Sequence, residues 1–180
     1  METTELGAGP TRETLMLALN VKLLREQNLV LGILAGAGAA VAGALIWMGI
    51  TVATQMEFGL VAIAVGAGVG YAMRFAGKGV TKIFGVAGAV LTLLSCIAGE
   101  AFSIIYMNAT ADGTGFFEAL PRVDFVALVQ GIVAHSSIIT YVIYGFGIYQ
   151  GYKLSFRKLT PQEIQEAGLG PATPMAPTPP

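Results

Sequence analysis

Four residues of this chain pair a chemically competent side chain with an unusual setting: Glu100, Gln130, His135 and Cys96 all interrupt long apolar runs. A carboxylate and an imidazole in reach of each other can exchange a proton or hold a cation, with an amide and nearby hydroxyls as relay. Other chemistry is poorly supplied. A single histidine and a single cysteine assemble neither a conventional metal site nor an intrachain disulfide. GxSxG, HExxH and paired-carboxylate patterns do not occur. Gly77-Lys78-Gly79 fails as a phosphate loop, because Ala72 stands where the first glycine is needed and Gly79 replaces the magnesium-binding hydroxyl. Gly66-Ala67-Gly68-Val69-Gly70 misses the dinucleotide spacing. The expectation is a non-catalytic protein with no cofactor and no metal.

The elements that must position those residues follow from composition. Of 180 residues, 54% are hydrophobic and 12% charged, against about 25% charged in a soluble domain. Net charge is −1, which offers no basic footprint for nucleic acid. The apolar residues gather into bilayer-length runs, and a core of about 30 Å takes roughly 20 helical residues. Spans are predicted over 29–51, 58–75, 83–107 and 125–149. The runs are continuously apolar, unlike the alternating strands of a barrel, so the predicted fold class is all-α: a polytopic bundle of four transmembrane helices.

Direction comes from the cations. Arg12, Lys22 and Arg25 precede the first span; Arg74, Lys78 and Lys82 mark the second connection; Lys153, Arg157 and Lys158 follow the fourth. Only Arg122 lies on the other side. The positive-inside rule then puts both termini in the cytoplasm, and the last six of those nine double as anchors to anionic lipid. Segment 1–28 is read as cytoplasmic and helical from about Arg12, capped by Thr11. Its apolar residues do not gather on one face, so it is expected to continue the first span, with an interfacial helix as the alternative. The membrane domain is placed at 29–152 and a cytoplasmic tail at 153–180. Thr160-Pro161-Gln162-Glu163 predicts a capped short helix, and the Pro-rich end is expected to be disordered.

In lipid, helices associate through small residues that let backbones approach. Such stripes include Gly32 and Gly36 on the first span, Gly66 and Gly70 on the second, Gly88 with Thr92, Cys96 and Glu100 on the third, and Gly131 with His135 on the fourth. They suit a tight bundle, a homo-oligomer or contact with a larger membrane complex. Consecutive antiparallel helices usually pack together, so Glu100, about 10 Å below the outer end of its span, is expected to meet Gln130, His135, Ser136 or Ser137. That constellation is either a proton- or cation-responsive site or interhelical glue; Cys96 is a buried thiol. Trp47, Tyr144, Phe146, Tyr149, Tyr152 and Phe156 are expected to form interfacial belts.

Gly70-Tyr71-Ala72-Met73-Arg74, Gly77-Lys78-Gly79, Phe84-Gly85-Val86-Ala87-Gly88-Ala89 with Cys96, and Tyr149-Gln150-Gly151-Tyr152-Lys153 carry a further signal. In these stretches the chain resembles a family of uncharacterised bacterial four-span membrane proteins. The resemblance implies a bacterial inner membrane and no particular activity. The expected role is a structural or accessory subunit in the lipid bilayer, with a small proton- or cation-coupled transporter using Glu100 and His135 as the alternative.

Overall fold

The computed structural model describes residues 11–55, 59–135 and 137–169, and among them every regular element is helical. The chain divides into two units. The smaller comprises α1 (Arg12–Glu26) and α8 (Pro161–Glu166). Thr11 caps α1 by accepting from the Thr14 amide, and Thr160 and Glu163 form a reciprocal capping box on α8. Between these two helices a groove of about 280 Å³ is lined by leucines, Lys22 and three glutamates. The segment does not continue the first span as expected. The backbone turns extended at Gln27 and Asn28, and Asn28 starts a new helix by accepting from the Leu31 amide at 2.9 Å. A capping side chain that competes for the backbone amides ends one helix and begins the next.

The larger unit, Asn28–Arg157, contains α2 (Leu29–Thr54), α3 (Leu60–Gly77), α4 (Lys82–Ala111), the single turn α5 (Phe116–Ala119), a 3-10 turn at Leu120–Arg122, α6 (Phe125–His135) and α7 (Ile138–Leu154). Three of these, α2, α3 and α4, are long and apolar enough to cross a membrane. The fourth predicted span is not one rod. It breaks between α6 and α7, which are bent by 111°. Ser137 caps α7, its hydroxyl accepting from the Thr140 amide at 3.2 Å. Tyr141 donates its phenol to the Val133 carbonyl at 2.5 Å, meeting an acceptor that the end of α6 leaves free.

Around the bundle the order is α2–α3–α7–α4, each helix packing on its two neighbours. The buried face of α2 is Gly32, Gly36, Ala40, Gly43, Ala44, Trp47 and Thr51, while Val30, Leu34, Val41 and Ile46 point outward. On α4 the buried line runs through Gly85, Gly88, Thr92, Ser95, Cys96, Gly99 and Ser103, and Val86, Val90 and Leu94 are exposed. Small residues inside and large apolar ones outside reverse the order of a soluble helix. Backbones therefore come close. A methyl at Gly66 would fall onto the Gly147 carbonyl, and one at Gly88 would lie 2.5 Å from the Gly151 carbonyl oxygen. Ser95 adds an interhelical hydrogen bond, donating to the Ala40 carbonyl at 2.6 Å. At the opposite end from α5, the amides of Asn28 and Arg157 donate to the carbonyls of Gly77 and Gly79, both at 2.8 Å. The Gly77-Lys78-Gly79 turn thus clasps the start of α2 and the segment after α7.

Candidate functional site

Glu100 lies on the buried face of α4, 8% exposed, eleven residues from the helix end. Because α4 runs on to Ala111 rather than ending near Met107, about 17 Å of helix separates Glu100 from that end. One partner comes from α7: Tyr144 donates its phenol to Oε2 of Glu100. Tyr144 also packs edge-on to Trp47 of α2, with ring centroids 5.7 Å apart and planes at 75°. Gly99, the residue before Glu100, is what admits the indole: a methyl there would sit 2.8 Å from the Trp47 Cβ. Three helices thus meet at one carboxylate, and Cys96, fully buried, lies one turn along α4.

Tyr144 is not among the partners expected for Glu100 from the sequence. Gln130 is exposed on α6. His135 closes α6, and its side chain lies outside the described residues, as does Ser136. Ser137 is spent on the α7 cap. A methyl at Gly32, Gly36, Gly66, Gly70 or Gly88 would meet an atom of another helix, whereas one at Gly131 would find nothing within 4 Å.

Trp47 and Tyr144 are corrections too. Trp47 is 3% exposed and part of the core, not a belt residue, and Tyr144 is half-buried. Phe146 and Tyr149 do face outward, while Tyr152 and Phe156 stack edge-on at 5.2 Å over Gly85. The signal for Tyr144 was its register: it lies three and seven residues before Gly147 and Gly151, on the face that enters the bundle.

Next to the pair is a cavity of about 150 Å³ lined by Trp47, Gly59, Ile139, Thr140, Ile143 and Tyr144. Beyond it the helices close on each other. A methyl at Gly147 would sit 2.6 Å from the Ala62 carbonyl oxygen. Every buried side-chain polar atom among the described residues is hydrogen-bonded. Among them, too, no group of three or more His, Cys, Asp or Glu could hold a metal ion.

The predicted anchors ring the end marked by Gly77-Lys78-Gly79. Arg74 lies 5.8 Å from the Phe75 ring centroid and the Lys153 ammonium 5.6 Å from that of Tyr149. Lys78 and Lys82 are exposed around the turn, Arg157 is clasped to it through its amide, and exposed Lys158 opens the smaller unit. No protein-family model, curated protein or solved structure matches the chain, so the chemistry rests on this geometry.

Proposed function

We propose that the chain is a multi-pass protein of a bacterial cytoplasmic membrane, with both termini in the cytoplasm, acting as a non-catalytic structural or accessory subunit. The observation that carries this reading is the inverted order on α2 and α4: outward faces of Val, Leu and Ile that suit lipid, and buried faces mostly of small residues, with Trp47, Met73 and Phe84 filling the core between helices. Four crossings are made by α2, α3, α4 and α7. The last has 17 residues, or about 26 Å at helical rise, within the range a membrane helix needs. In this reading α6 lies over the external end, and the basic residues around Gly77-Lys78-Gly79 meet the cytoplasmic leaflet. An interior closed by backbone contact at Gly66/Gly147 and Gly88/Gly151 suits a packing module better than a conduit. The resemblance to bacterial four-span proteins points the same way.

Purification from native membranes in a mild detergent, followed by native mass spectrometry, tests the role. A complex of fixed stoichiometry, with a second copy or another membrane protein, is expected. A bare monomer that carries ion flux in liposomes would overturn it. The buried Glu100–Tyr144 pair favours a second reading, a small proton- or cation-coupled transporter in which His135 also takes part; its flux would vanish on Glu100→Gln.

A further inference from the structure

We propose that Glu100 and Tyr144 form a one-sided proton-binding site, reached from the end of the bundle where α7 begins and reported by Trp47. The proposal rests on the membrane-embedded reading and adds to it a ligand, a route and a reporter. A carboxylate in apolar surroundings needs hydration or a hydrogen-bond donor to stay charged, so any change in its charge must be matched by its partner. Tyr144 is one such partner, donating to Oε2.

The same tyrosine lines the cavity of about 150 Å³, which has room for several waters at about 30 Å³ each. Its rim includes Ile139, 71% exposed and on the first turn of α7. On the far side of Tyr144 the way is shut, by Gly147 against the Ala62 carbonyl and Gly151 against the Gly88 carbonyl. Protons therefore arrive from one end only. In the uptake step a hydronium ion in the cavity protonates the Tyr144 oxygen while the phenolic proton moves to Oε2 of Glu100. One O–H bond forms on the carboxyl group, the one lost by Tyr144 is replaced, and water remains in the cavity. The charge of the site rises by one.

Among the described residues, the titratable side chains of the surrounding helices are few. α2 carries no titratable side chain over 29–54, and α3 has only Tyr71 and Arg74, in its final turns. On α7, Tyr141 is engaged with the Val133 carbonyl, and Tyr149, Tyr152 and Lys153 lie in the second half. α4 itself adds Cys96 one turn away, Tyr106 nearer its end and Lys82 at its start; α5 adds Glu118. Glu57 and the side chain of His135 lie outside the described residues.

Trp47 is the one tryptophan of the chain and touches Tyr144 directly, so its emission reads the site. The test uses the full chain in oriented liposomes, with the pH stepped between about 9 and 4 on one side at a time. The expected result is a single transition in Trp47 emission, driven only from the side where α7 begins. It is abolished by Glu100→Gln and reached at least about tenfold more slowly in Tyr144→Phe. Flat emission in the unaltered protein, a transition that survives Glu100→Gln, or an equal response from both sides overturns the proposal. If Glu100→Gln does not assemble, the sidedness of the unaltered protein and the rate in Tyr144→Phe decide. Flotation of the same vesicles after an alkaline wash is scored separately. A chain that fails to float contradicts the membrane reading, while one that floats with flat emission contradicts the proton site alone.

Discussion

Glu100 is held by a donor from another helix, so acid and phenol depend on each other. Removing either leaves a polar group without its interhelical bond, and such bonds in membrane bundles contribute about 0.6 kcal/mol and up to about 2. Glu100→Ala and Tyr144→Phe are each expected to lower stability by about 1 kcal/mol in detergent unfolding, with the double variant costing less than the sum. Strict additivity would mean that the two do not interact. The glycines make a sharper contrast. Gly66→Leu forces α3 away from the Gly147 carbonyl and is expected to cost at least about 2 kcal/mol. Gly68→Leu, with nothing within 4 Å of its Cβ position, is expected to stay within about 0.5 kcal/mol of the original protein. The same unfolding titration measures both.

The break between α6 and α7 replaces one predicted straight span with two helices. Spin labels at Val126 and Val142 would lie about 24 Å apart along a straight helix; the 111° bend predicts a clearly shorter distance by pulsed electron resonance. Ser137→Leu, which removes the cap, is expected to shift that distance toward the straight value. How far these features were legible depends on the kind of signal. Thr11 and Thr160 stand in polar sequence, where a capping residue has no rival, and both helix starts could be placed from it. Ser137 has the same chemistry within an apolar run, and run length, which averages over a score of residues, is blind to a two-residue interruption. Asn28 instead lies at the seam between polar Arg25-Glu26-Gln27 and the apolar run from Leu29, where a new helix start reads as a change of surroundings along one helix. Glu100 was found because a buried acid is rare in such a run; Tyr144 was missed because its nearness to Lys153 suggested a belt, whereas its register with Gly147 and Gly151 sets its direction.

At the scale of the whole molecule, α2 and α4 keep mostly small residues within and turn Val, Leu and Ile outward, an order that is stable only if the surroundings are themselves apolar. That is the central claim, and it concerns the faces of α2 and α4 most directly. In a Cys96→Ala background, single spin labels at Val41 and Leu45 of α2 and at Val90 and Leu94 of α4, all outward-facing, are reconstituted in liposomes. Their collision rates with oxygen, which concentrates in hydrocarbon, are compared with those for a water-soluble nickel chelate. The account predicts high oxygen and low nickel accessibility at all four sites. Nickel collisions as frequent as those of a label in open water would contradict it.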